Sequence, residues 1–243
     1  MGALIADVGS DVRIDGSAGT EGTTINLNDD LGFTPQATTF FIDGMWRISH
    51  RNRLLMSYER VNRDVSHSLV PRTITFRDTI FSVGGDVDAF FDTGYVSVDY
   101  GFAFVANQTV EAGVSIGLTV LRLHTGVALS VSGTESGQSV SRDLAGNTRF
   151  TVPVPLPGFF LTIRPHSRVS IVGGVRVIKA TITDTTASFI EAKGGVDFKI
   201  GGPFGAGVSY YYNKTVADRE GTSQNGRIEY EFNGPQAYVV LIF

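Results

Sequence analysis

Cysteine is absent from all 243 residues. That excludes a disulfide framework, a thiolate metal site and a cysteine nucleophile, and it suits an oxidising compartment, where a stray thiol is a liability. Long apolar runs are missing as well: no stretch approaches the roughly 18 uninterrupted apolar residues that a spanning helix requires. There is no basic stripe either. The net charge is -4 and the pI about 5.5, with Lys and Arg scattered, so nucleic acid is not an expected partner. No Pro- or Ser-rich linker divides the chain, so residues 1–243 read as a single domain. Met1-Gly2-Ala3 has neither a basic n-region nor a full apolar h-region, which predicts that an export signal has been removed and that Met1 is a supplied start.

What is present is alternation of period two. Residues 109–121, TVEAGVSIGLTVL, put Val110, Ala112, Val114, Ile116, Leu118 and Val120 on one face and Glu111, Gly113, Ser115, Gly117 and Thr119 on the other. Residues 189–200 oppose Ile190, Ala192, Gly194, Val196, Phe198 and Ile200 to Glu191, Lys193, Gly195, Asp197 and Lys199. Residues 38–48 and 54–58 read as a hairpin turning at His50-Arg51-Asn52, and residues 95–104, 169–177 and 204–214 alternate in the same way. Residues 4–14 and 154–164 are weaker strands, the second interrupted by Pro153, Pro155 and Pro157, which cannot donate to a ladder. Averaged over both faces, such a pattern gives an unremarkable mean hydropathy, here +0.08.

The connections fall into two classes that alternate along the chain. Short ones lie near 50–53, 106–108, 165–167 and 201–203; long polar ones lie near 15–36, 64–85, 132–150 and 217–226, with a tighter one near 183–187. Up-and-down strands in this order place every short turn at one end. About ten strands are expected, so both termini sit on the short-turn side.

The chain ends on alternating apolar residues, Ala237, Val239, Leu241 and Phe243, beside the aromatic Tyr238. This ending resembles the C-terminal signature of bacterial outer-membrane β-barrels, in which assembly machinery reads the last strand. TINLNDDLGF (24–33), HRNRLLMSYERVNRD (50–64) and YEFNGPQAYVVLIF (230–243) also resemble a family of small proteobacterial outer-membrane barrels, with no catalytic role attached to those motifs. The resemblance implies an all-β, antiparallel, up-and-down transmembrane barrel in the bacterial outer membrane. It also implies lipid, lipopolysaccharide and the barrel assembly machinery as partners, with Tyr238, Leu241 and Phe243 as the assembly signal. A soluble β-sandwich or lipocalin-like barrel would alternate equally well. Against it stand apolar faces long enough for a crossing, charges and glycines on the opposed faces, and aromatics near strand ends.

The opposed face carries Arg47, Glu59, Asp99, Glu111, Arg176, Glu191, Lys193, Asp197 and Lys199. In a barrel only slightly wider than the eight-strand class, these charges of both signs are expected to pair across the lumen, which argues against a wide porin. The function expected is therefore non-enzymatic: a narrow route for small solutes, or a structural and surface-interaction role. The alternative is a barrel hydrolase acting on lipid or peptide. Ser66-His67-Ser68 and His166-Ser167 superficially resemble the His and Ser pairs of phospholipase and lipid A deacylase barrels, and Asp86-Val87-Asp88 the acidic pairs of omptin proteases. The His residues fall in turns or loops, except His124, near the outer end of a strand beside Arg122 and Thr125, for which no partnering carboxylate is expected on its face nearby. Asn26, Asn28, Asp29 and Asp30 could ligate calcium, but their spacing is not that of an EF-hand, and Asx residues make turns unaided. No metal or other cofactor is expected.

Overall fold

The computed structural model describes residues 1–15, 24–30, 32–69, 74–76, 79–81, 86–135, 138–182, 184–219 and 225–241. These are almost entirely strand: β1 (Gly2–Ile14), β2 (Ile25–Asn26), β3 (Gln36–Arg47), β4 (Asn52–Leu69), β5 (Ile74–Phe76), β6 (Thr79–Phe81), β7 (Asp86–Ala106), β8 (Val110–Glu135), β9 (Gln138–His166), β10 (Val169–Ile182), β11 (Thr185–Gly201), β12 (Phe204–Arg219) and β13 (Gly226–Leu241). Ten of them form one antiparallel sheet in the order β13-β12-β11-β10-β9-β8-β7-β4-β3-β1. Pairing of β1 with β13, from Gly2 opposite Tyr238 to Ile14 opposite Gly226, closes it into a barrel. The short β2 extends the sheet beside the upper part of β1, and β5 with β6 makes a separate hairpin.

Alternation decides which way each residue faces. On β1, Leu4, Ala6 and Val8 are wholly buried inside, whereas the intervening Ile5 is 56% exposed. On β8, Glu111 and Thr119 are buried and Val114, Ile116 and Leu118 face outward. The same outward band continues through Phe40 and Ile42 of β3, Val98 to Phe104 of β7, Val175 and Val177 of β10, Phe198 of β11, Val208 and Tyr210 of β12, and Val239 and Leu241 of β13. Exposed large apolar side chains arranged all round a closed barrel make a wall suited to hydrocarbon, not water. From Ala112 to Val120 a tilted strand rises about 20–25 Å, the height of an outer-membrane apolar belt. Above it the exterior turns ionic: Arg60 pairs with Asp92 at 2.6 Å, Lys214 with Glu229 at 2.5 Å and Arg227 with Asp218 at 3.1 Å.

The turns at 48–51, 107–109, 167–168 and 202–203 share one end with Gly2 and Leu241. Asn107 closes one of them, its Oδ1 accepting from the backbone N–H of Thr109 and Val110 at 2.9 and 2.7 Å. Gly202 closes another at φ 55°, a left-handed value that side chains resist. The opposite end differs from the expected long loops. Residues 132–150 are not a loop: β8 and β9 continue as an unbroken ladder to Glu135 opposite Gln138. Backbone pairing sustains these strands after the apolar side chains stop, so hydropathy carried no sign of them. Pro153, Pro155 and Pro157 likewise lie within the 29-residue β9 and do not break it.

Candidate functional site

The interior is built in layers. At the base, Glu111 is 2% exposed and receives three guanidinium groups from strand ends that the short turns hold together. Arg47 bonds both its carboxylate oxygens at 2.8 Å, Arg164 approaches Oε2 at 3.1 Å, and Arg53 contacts Oε1. Arg53 also lies over the Phe160 ring, 4.2 Å from its centroid. Charge-assisted bonds of this kind fix geometry, and the surplus of cations makes the base electropositive.

The next layer holds Arg176. Its Nε and Nη2 grip Glu191 at 3.1 and 2.6 Å while Nη1 reaches Asp99 at 2.9 Å on the opposite wall. The Asp99 carboxylate occupies the space above Gly117, where a Cβ would collide with it. Beside this group Lys193 bonds Asp43 at 2.6 Å and sits over the rings of Phe41 and Tyr238, at 4.9 and 5.1 Å. The Tyr238 hydroxyl donates to Asp197 at 2.7 Å.

Higher still the lumen is aromatic. Phe232, wholly buried, packs against Tyr95, Tyr211 and Tyr230 with centroids 5.4–5.8 Å apart; Phe91 and Phe189 extend the cluster. Glu59 stands opposite Tyr95 in the β4–β7 ladder and is 7% exposed, with its Oε1 unpartnered. Residues 25–30 and 32–34 lie inward above this layer, with Leu27 and Phe33 buried. Arg63 ties them down, bonding Asn28 and the Thr34 carbonyl and lying 5.1 Å from the Phe33 centroid. Among them Asn26 Oδ1 accepts from the N–H groups of Asn28 and Asp29, and Asp30 accepts from that of Asn26, so these Asx oxygens close a turn.

Of the charged residues singled out from sequence, Arg47 and Glu111 meet at the base, Arg176, Asp99 and Glu191 meet above them, and Lys193 and Asp197 are joined through Tyr238. Glu59 is not among these groups, and Lys199 is exposed at the short-turn end. Three partners went unnamed: Arg53, Arg164 and Asp43. Arg53 and Asp43 share strand parity with Glu59 and Arg47, which was the available signal. Of the three residues read as the assembly signal, Tyr238 points inward to Asp197 and Lys193, Leu241 faces outward at 49% exposure, and Phe243 lies outside the described residues.

The histidines are dispersed. His50 Nε2 is 2.9 Å from the Ala106 carbonyl, and His166 Nδ1 accepts from the Arg168 N–H. His124 faces outward against Phe90, with ring centroids 4.8 Å apart. Strand pairing does set Asp92 opposite His124, a neighbour that one strand's pattern could not reveal, yet Arg60 holds both Asp92 oxygens. The side chains of Ser66-His67-Ser68 and of Asp86 and Asp88 lie outside those described. Among the described residues no group of three or more His, Asp or Glu is placed to hold a metal.

No protein-family model matches the chain, nor does any curated protein sequence. Among solved structures, the outer-membrane protease OmpT of Escherichia coli matches with a TM-score of 0.58 and 9% identity, covering 99% of this chain and 95% of that one. The fold is that of a bacterial outer-membrane β-barrel. Ail, the attachment invasion locus protein of Yersinia pestis, aligns at TM-score 0.28 and 11% identity over 97% of both chains. The Pseudomonas putida toluene transporter TodX aligns at 0.34 and 9% over 100% of this chain and 89% of its own. At these identities the likeness to OmpT extends to the barrel and not to chemistry.

Proposed function

We propose that this outer-membrane barrel is sealed and non-enzymatic, and that it acts as a structural and surface-interaction protein through the wall and connections above the belt. One observation carries the reading: among the described residues each layer of the interior is occupied, by ion pairs at the base and middle, by packed rings above, and by Leu27 and Phe33 above those. A lumen filled in this manner behaves as a core and not as a water path. The tall β7–β9 wall, 21, 26 and 29 residues in its strands, supplies surface beyond the membrane. The settings of His50, His124 and His166 support the non-enzymatic part, since each is engaged by a backbone atom or a ring. The test is conductance: the purified barrel in a planar bilayer carries no steady ion current, and a large stable current would replace this reading with that of a diffusion pore.

A further inference from the structure

The hydrogen-bonded ladder between β9 and β10 is incomplete. Their ladder rises from His166 opposite Val169 and stops at Gly158 opposite Arg176, although β10 continues to Ile182 and β9 much further. The prolines explain the stop. The β8–β9 ladder is continuous past Pro153, Pro155 and Pro157, which is possible only if the reciprocal N–H···O=C pairs with β8 are made by the even-numbered residues Val154, Leu156 and Gly158. The proline nitrogens therefore face β10. Carrying the β9–β10 register upward from Phe159 opposite Val175 sets Pro157, Pro155 and Pro153 opposite Val177, Lys179 and Thr181. Those are the three positions at which the strands would exchange hydrogen bonds, and proline has no N–H to give. Six residues of β10, about 20 Å of strand, are left without a ladder on this side.

The unzipped stretch lies in the apolar belt. Phe159, Val175 and Val177 flank it on the outside at 40, 37 and 51% exposure, and on the β8 side Pro157 and Pro155 stand opposite the outward Ile116 and Leu118. Side chains close it from within: Leu156, wholly buried, and Val154 and Ile178, which pack on the core. Ile178 pairs across β10–β11 with Phe189, whose ring lies 6.2 Å from that of Tyr95. A continuous apolar path thus runs from the outer wall to the aromatic cluster.

We infer that this seam is a lateral slot for the acyl chain of a membrane lipid, which enters between Leu156 and Ile178 and comes to rest against Phe189 and Tyr95. Hydrocarbon is what bathes the wall at this height, and a chain of methylenes needs none of the hydrogen bonds that the prolines withhold. An added protein strand does need them, so the same prolines disfavour augmentation by a second copy. Lys179, exposed and outward in the upper part of the seam, is placed for the phosphate of the lipid whose chain enters below it. The slot is independent of conductance, since a chain lodged in the wall opens no aqueous path.

The experiment uses the natural lack of cysteine. The barrel is refolded into phospholipid bilayers doped with a phospholipid carrying a diazirine on its acyl chain, photolysed, and mapped by mass spectrometry. The unmodified protein is expected to carry adducts on Phe189 and Tyr95 as well as on the outward Val114 and Ile116. Oxidising a Pro153→Cys, Thr181→Cys pair staples the seam and should abolish the interior adducts while leaving the exterior ones, and reduction should restore them, which controls for misfolding. A Pro153→Val, Pro155→Val, Pro157→Val variant restores the donors and should lose the interior adducts without a disulfide. Interior residues unlabelled in the unmodified protein, or labelled equally with the seam stapled or zipped, would overturn the inference.

Discussion

Arg47 and Glu111, 64 residues apart in sequence, face each other at the base of the barrel with two parallel hydrogen bonds of 2.8 Å. Among the described residues the Glu111 carboxylate is the one anion that Arg47, Arg53 and Arg164 all contact. Glu111→Gln should therefore cost about 3–5 kcal/mol in denaturant unfolding, because three guanidinium groups would lose their counter-charge in a confined space. A loss below about 1 kcal/mol would mean that water already screens this cluster.

Inside and outside are separable by one position. Val114→Arg puts a cation into hydrocarbon and should destabilise the barrel in bilayers by about 2–4 kcal/mol, whereas Ser115→Arg turns the same group inward. Equal tolerance of the two substitutions would contradict the facing of β8.

Breaking the middle layer should admit water. Truncating Arg176 and Lys193 to Ala removes two long side chains and strips Glu191, Asp99 and Asp43 of their cations. The expected result is a small current, cation-selective because the remaining carboxylates line the opening, measured against a silent unmodified protein.

Gly117 is a steric requirement of the fold. Gly117→Val sets a branched side chain where the Asp99 carboxylate lies, so Asp99 must leave Arg176. Overpacking of this kind costs about 1–3 kcal/mol, read as a lower unfolding midpoint; the same substitution at Gly194, whose Cβ would meet no atom within 4 Å, should be milder.

Much of this architecture was legible because period two is a direct print of which wall a residue faces. Val114 and Glu111 sort correctly from residues 109–121 alone, and the four tight turns are marked by residues such as Asn107 and Gly202. What stayed hidden depends on register, the relation between strands, which no single strand encodes. Asp92 came to stand opposite His124, Arg53 reached Glu111, and Tyr238 turned toward Lys193 for that reason. Pro155 reads as a strand breaker in isolation; its actual effect is one-sided, silent toward β8 and decisive toward β10. The aromatic layer was missed differently: Tyr211 and Phe232 follow the alternation, but the expectation of charges pairing across the lumen left no place for apolar residues on the inward face.

Phe232 has a consequence for how the barrel is made. It touches Tyr95, Tyr211 and Tyr230, so it is the hub of the upper core, and it belongs to β13, the same strand that pairs with β1. Contacts between the two ends of the chain carry the largest loop-closure entropy and form late. Because the hub rides on the closing strand, the interior can solidify only when the sheet shuts, and the two events should appear as one slow kinetic phase. Until the sixteen-residue β13 pairs with β1, the barrel is thus an open, soft-centred sheet.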